Sequence, residues 1–331
     1  MPLIRFTSFS TFPRGGRLFS ISSLYTIQFV YSKKGGLPRQ YSIENDILRL
    51  TVDSHGAEPV SVIHKPTGAE LLWQADPAVW NRHAPILFPY TGKLTGGKML
   101  AKGVEYAGGQ HGFARDVEHT MTHHADNLLE FELHANAETL PKWPYAFVLR
   151  STFTLEGETV HHTLTVENPV EDKLCFGIGY HPAFALPFDD RHVTEDYEIR
   201  FDGVESPLCV SAQPDGLLNG QSYYLARNVE AIQLTDDLFD SDSHAMVNLR
   251  SAHVSVIEKD TGRSVICDVS DFPYTLIWSA PKKPLHFICI EPWHSLPGEE
   301  NGPIDWEQRP CAAILKKGES WSTTLSTTFV R

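Results

Sequence analysis

No run in this chain approaches the roughly 18 consecutive apolar residues that a membrane-spanning helix needs, so no membrane partner is expected. Cysteine is scarce: Cys175, Cys209, Cys267, Cys289 and Cys311 are odd in number and contain no C-x-x-C pair. That excludes a zinc ribbon or dithiol redox centre and predicts five free, mostly buried thiols in a reducing compartment. Glycine patterns that cradle phosphates are missing, since neither Gly35-Gly36 nor Gly96-Gly97-Lys98 has the spacing of a dinucleotide or phosphate loop. A G-x-S-x-G nucleophile turn is absent as well. His123-His124 and His161-His162 are adjacent on strand-like segments, so their rings point to opposite faces and cannot chelate together. No metal and no cofactor are expected. Positive charge is also short, with 28 Lys and Arg against 41 Asp and Glu and a formal charge of −13. Nucleic acid and anionic membranes select the opposite balance, which leaves a small neutral or modestly charged ligand as partner.

What is present is a chain of 331 residues, 41% hydrophobic, long enough to bury one sizeable core. Residues 1–43 stand apart: six basic residues (Arg5, Arg14, Arg17, Lys33, Lys34, Arg39) precede the first acid, Glu44. This basic, Ser- and Phe-rich extension is transit-like or disordered, and the globular domain is expected over 44–331. A cytoplasmic location follows, or an organellar one if the extension is a transit peptide. The domain is read as a monomer or homodimer. From Tyr41 onward short β-branched and aromatic runs alternate with turn signals such as Glu156-Gly157 and Thr261-Gly262, and no helical period competes. The pattern predicts an all-β, large antiparallel β-sandwich. Pro187 to Arg250 is the least regular stretch and reads as long acidic surface loops.

Three places carry chemistry. Glu291 follows four apolar residues in Phe287–Trp293, and an ionised carboxylate in such a strand needs a partner or a purpose. Pro292 is expected to end that strand and present Glu291 at the sheet's mouth, with Trp293 on the same face to cover a sugar's C–H surface. His181 precedes Pro182, which holds its backbone extended, and the nearby Gly177 and Gly179 permit a close approach. His111 sits between Gln110 and Gly112 in a tight turn that also displays Arg115 and Asp116. Each has a plainer reading: a strand-end Glu bonded to a turn, a satisfied core histidine, and a surface ion pair.

Taken in order, Ala84-Pro85-Ile86-Leu87-Phe88-Pro89 with Gly92-Lys93-Leu94, His111-Gly112-Phe113-Ala114-Arg115, Gly179-Tyr180-His181-Pro182 and Glu291-Pro292-Trp293 resemble the aldose 1-epimerase (galactose mutarotase) superfamily. The likeness is to its branch of LacX-type mutarotases and hexose-6-phosphate epimerases and covers residues 44–330. The resemblance implies a sandwich of the galactose mutarotase type (a supersandwich) and a cofactor-free interconversion of the α and β anomers of an aldohexose. It also implies Glu291 as general base, His181 as general acid and His111 as a further catalytic imidazole. Arg82, Lys93, Arg115, Asp242 and Trp293 would bind the sugar or sugar phosphate. Lys93 departs from the family's usual arginine and lacks its bidentate fork, and Asp237 and Asp240 compete with Asp242. A hexose-6-phosphate epimerase is the near alternative, and a non-catalytic sugar-binding or sugar-sensing protein the alternative of another class. A glycoside hydrolase would need a second well-placed carboxylate.

Overall fold

The structure is a computed structural model that describes residues 39–212, 216–247 and 249–331. The basic extension expected over 1–43 lies outside the described residues up to position 38. The first strand, Gln40–Glu44, begins ahead of the boundary at residue 44 and pairs with Leu48–Asp53.

Two large antiparallel sheets dominate, as the all-β reading requires. The longer has nine strands. Its centre is Val148–Glu156, Thr159–Glu167 and Ser320–Val330, where burial alternates residue by residue. Leu149, Phe153, Leu164, Leu325 and Phe329 point inward, while Thr163 and Thr324, and Thr165 and Ser322, join hydroxyls on the outer face. The Glu156↔Thr159 pairing makes Gly157-Glu158 the two-residue turn, one position later than expected, because Gly157 supplies the φ of +56°.

The second sheet has eight strands. At its middle lie Tyr274–Trp278, Phe287–Trp293 and the short pieces Gly179–Tyr180 and Ala183–Ala185. Phe287–Trp293 is buried on both faces. Alternation sends Ile288 and Ile290 into the main apolar core, together with Tyr180, Phe184 and Phe329. Phe287, Cys289, Glu291 and Trp293 face the other way, where Phe287 and Cys289 join one smaller apolar cluster and Trp293 another. Behind the site, the Tyr180 hydroxyl donates to the carbonyls of His162 and Thr323, at 2.8 and 2.9 Å, tying this sheet to the longer one.

Three expectations need correction. Pro292 does not end its strand, which runs to Trp293 with Pro292 opposite Thr275. On its other side, in the register that pairs Gly179 with Trp293 and Ala183 with Cys289, Pro292 faces Tyr180, whose carbonyl accepts the Trp293 indole N–H at 3.2 Å in place of the missing ladder bond. The acidic stretch 187–250 is not all loop: it holds Tyr197–Glu205, Leu208–Ala212, Leu218–Tyr224, Val229–Gln233 and His244–Val247. Leu218–Tyr224 and Val229–Gln233 are sheet edges, exposed enough to lose the alternation that marks a strand in sequence. Finally, the cysteines are not all free. Cys175 and Cys311 form a disulfide, whereas Cys209, Cys267 and Cys289 are free and buried. The pairing of Leu174–Phe176 with Ala313–Leu315 brings the two together across 136 residues, a proximity no local spacing signals.

Candidate active site

Sheet register builds the site. Gly179 pairs with Trp293 and Ala183 with Cys289, and the same count places His181 opposite Glu291. Both side chains therefore stand on one face, and His181 Nε2 lies 3.2 Å from Glu291 Oε2. The His181 amide donates to the Pro85 carbonyl at 3.1 Å, so the motif Ala84–Pro89 frames the imidazole from the other side. At Gly179 any Cβ would come within 2.6 Å of the Trp293 ring. The close approach this glycine permits is thus that of an indole.

Both members of the pair are out of water, at 8% and 2% side-chain exposure. Burial, with smaller contributions from Arg115 and Arg82, drives the His181 imidazole down to about 3. Burial, reinforced by the Asp242 charge, holds the Glu291 carboxyl well above its usual range. Both shifts disfavour charge and so favour the imidazole and carboxylic acid forms of the pair. One proton transfer across 3.2 Å converts this pair to imidazolium and carboxylate with no change in proton count.

His111 completes a right-angled arrangement. Its ring centroid is 5.6 Å from that of His181 at 89° and 5.4 Å from that of Trp293 at 76°. The Gly92 amide donates to His111 Nδ1 at 3.0 Å, and desolvation, His181 and Arg115 lower its pKa well below the usual value. A neutral His111 whose Nδ1 accepts must carry its proton on Nε2, as a donor. The backbone that places it is costly: His111 has a φ of +67° and Gly112 one of +72°, with a Cβ at Gly112 only 2.1 Å from the Phe88 carbonyl oxygen.

Charge surrounds the pair asymmetrically. Arg82 is held by Asp116 at 2.6 Å. Arg115 donates to the Gln110 carbonyl at 2.8 Å, and its buried Nε has no hydrogen-bond partner among the described residues, only Asp116 Oδ2 at ion-pair distance, 3.9 Å. Desolvation, with Arg82 next, lowers Arg115 to about 10. Both guanidiniums act on His111 and His181. Asp242 is exposed, strained at a φ of +83°, and close enough to raise Glu291.

The Lys93 side chain runs along Gly216, its carbons 3.5 to 3.8 Å from the Cβ position there. Trp293 is only 3% exposed and donates its indole N–H to the Tyr180 carbonyl at 3.2 Å. It braces His111 instead of offering an open face. The aromatic groups on His181 itself are ones sequence reasoning missed. Trp80 stacks on the imidazole at 4.9 Å and 23°, and Trp278 meets it edge-on at 5.6 Å and 84°. Trp80 belongs to the segment just before Arg82, and its spacing from the family-like motif was the available signal. Donor atoms of His181, Cys289 and Glu291 lie within 4.8 Å of one another, the donor set a metal ion would meet in this cleft. In a second cluster, Asp189, His192 and Glu258, the Arg263 guanidinium already supplies the cation.

A large antiparallel sandwich with a buried imidazole–carboxylate pair on one sheet places the protein in the galactose mutarotase-like structural class. Residues 39–328 match the family model described as Aldose 1-epimerase, and the chain belongs to that family, a family of carbohydrate epimerases. It is 34% identical over 262 residues to the plasmid-encoded protein LacX of Lactococcus lactis subsp. lactis, covering 77% of this chain and 87% of that one. A galactose mutarotase related enzyme from Lactobacillus acidophilus shares the fold with a TM-score of 0.84 at 31% identity, covering 88% of this chain and 97% of the other. A galactose mutarotase-like protein from Lactobacillus casei gives 0.79 at 30% identity, covering 88% and 99%.

Proposed function

We propose that the protein interconverts the α and β anomers of an aldohexose by acid–base ring opening and closure. The 3.2 Å contact between His181 Nε2 and Glu291 Oε2 is the observation that carries this reading. Once the pair has shifted to imidazolium and carboxylate, Glu291 takes the proton of the C1 hydroxyl and His181 gives its proton to the ring oxygen. The bond from C1 to the ring oxygen breaks, the C1 oxygen becomes the carbonyl oxygen of the open aldehyde, and the pair has again exchanged one proton for one. Rotation about C1–C2 and reclosure with the roles reversed yield the other anomer. The sugar's hydroxyls replace part of the solvation that burial removed, and His111 Nε2–H is available to donate to one of them. Arg82, Arg115 and Asp242 border the pair as further binding groups.

A phosphorylated hexose is the second reading, favoured by the buried Nε of Arg115, which makes no hydrogen bond among the described residues and only a 3.9 Å ion-pair contact with Asp116. NMR saturation transfer between anomers, comparing glucose, galactose and their 6-phosphates, tests both. Exchange above the buffer rate with a free hexose supports the first reading, and exchange with a 6-phosphate alone supports the second. Saturable binding with no exchange for any sugar overturns both in favour of a sugar sensor.

A further inference from the structure

The His181 imidazole is surrounded by groups that oppose its protonation, yet ring opening asks it to carry a proton. Arg115 and Arg82 repel the cation, burial penalises it, and His111 packs at right angles beside it. Cys289, on the same face as Glu291, is a buried thiol whose Sγ lies within 4.8 Å of the His181 and Glu291 donor atoms. Asp242 acts on Glu291 and is not among the groups that influence His181. Of the neighbours, Glu291 favours an imidazolium through its carboxylate form, and Trp80 does so through its ring face. The two rings lie nearly parallel, 23° apart with centroids at 4.9 Å, so the electron-rich face of the indole lies against the imidazole plane.

Trp80 is built to stay there. Its amide donates to the Asp76 carbonyl at 2.9 Å, the Asp76 carboxylate accepts from the Ala78 amide at 2.9 Å, and its own carbonyl accepts the Trp73 indole N–H at 2.8 Å. The indole also stacks on Phe287 at 5.4 Å and 28° and meets Trp278 at 5.4 Å and 75°. Phe287 shares its strand and face with Glu291, so one ring system spans from the base's strand to the acid.

We propose that Trp80 is a positioning residue for the proton donor: its indole face holds the His181 plane toward Glu291 and stabilises the imidazolium formed during ring opening. The inference rests on His181 being the acid of an anomer exchange. Trp80 touches no reacting atom and acts only through the imidazole.

The test compares Trp80→Phe, which keeps a ring face, with Trp80→Met, which keeps bulk without one. Two readouts are taken: kcat and KM for anomer exchange across pH, and the titration of the His181 ring by NMR, assigned by the loss of its signal in His181→Asn. Trp80→Met is expected to lower kcat about three- to thirtyfold with KM within about twofold, and to move the His181 midpoint and the acid limb of kcat to lower pH. Trp80→Phe is expected to recover most of the loss. A change in KM alone would make Trp80 a sugar platform and overturn the proposal, as would an unshifted His181 midpoint in a folded Trp80→Met protein. Should the wild-type protein exchange no sugar, the proposed function fails on its own, and the His181 midpoint still decides whether Trp80 favours the imidazolium. If Trp80→Met does not fold, an unchanged Trp80→Leu midpoint overturns the proposal equally.

Discussion

At the scale of single residues, the arrangement makes two demands that kinetics can check. Glu291→Gln keeps shape and removes the base, so kcat for anomer exchange should fall about 10²- to 10⁴-fold while calorimetry shows sugar binding nearly unchanged. Retained turnover would remove Glu291 from the base role. The pH profile should be a broad plateau. Burial depresses His181 and raises Glu291, so a second proton enters the pair only in acid and the shared proton leaves at a pH well above that at which an ordinary Glu gives it up. The acid and alkaline limbs therefore stand further apart than unperturbed His and Glu would give, and a single narrow optimum in the exchange rate would contradict this assignment. Much of the site was legible at this scale. Glu291 announced itself because an ionisable group ends four apolar residues, and His181 because Pro182 and the glycines constrain it. Trp80 did not, because an aromatic residue in a turn looks the same whether it lies on solvent or on the His181 ring.

At the scale of elements, the strand register and one turn carry the site. His181 opposes Glu291 only while Gly179 and Ala183 stay in register with Trp293 and Cys289. The turn of His111 is similarly intolerant. Gly112→Ala forces a side chain into a φ of +72° and a carbonyl 2.1 Å away, so it should cost more than about 2 kcal/mol in urea unfolding and displace His111. A neutral substitution there would mean that the turn relaxes freely. Central strands were readable from alternation because one side meets the core and the other water. Edge strands such as Leu218–Tyr224 were not, since exposure on both faces erases the pattern. Lys93, grouped with the site by motif, extends along Gly216 because a long flexible side chain is placed by its surroundings.

At the scale of the whole molecule, buried histidines set the response to acid. Burial lowers His119 to about 4 and His162 to about 3, both below their ordinary 6.5. The unfolded chain thus binds protons the folded one refuses, and their contribution to stability, complete above about pH 6.5, is lost as pH falls toward these values. Each group removes about 1.4 kcal/mol per pH unit in that window. Glu291, raised by burial, and His192, raised by its hydrogen bond to Asp189, act in the opposite sense, but they are two groups against the larger set of histidines that burial lowers, His83, His111, His181, His244 and His294 among them. Thermal midpoints should fall from pH 7 to pH 5, and His119→Gln should flatten the slope; a flat wild-type profile would refute this. The Cys175–Cys311 bond closes a span of 136 residues, so Cys311→Ser should cost about 2–4 kcal/mol in chemical unfolding, with peptide mapping of the wild type confirming the linkage. Removing residues 1–38, which precede the family match at 39–328, should leave exchange activity intact.

Composition and strand periodicity by themselves determined that this is an antiparallel β-sandwich with an acidic surface, because burial on one face and solvent on the other are written residue by residue. Local context also marked Glu291, His181 and His111 as misplaced unless useful. Only the tertiary structure decided that they meet, that Trp80 covers His181, that Arg115 is buried beside them and that Cys175 finds Cys311. Those facts join residues far apart in the chain, Cys175 and Cys311 by 136 positions among them, and only chain pairing and burial, which a local pattern does not encode, bring them into one place.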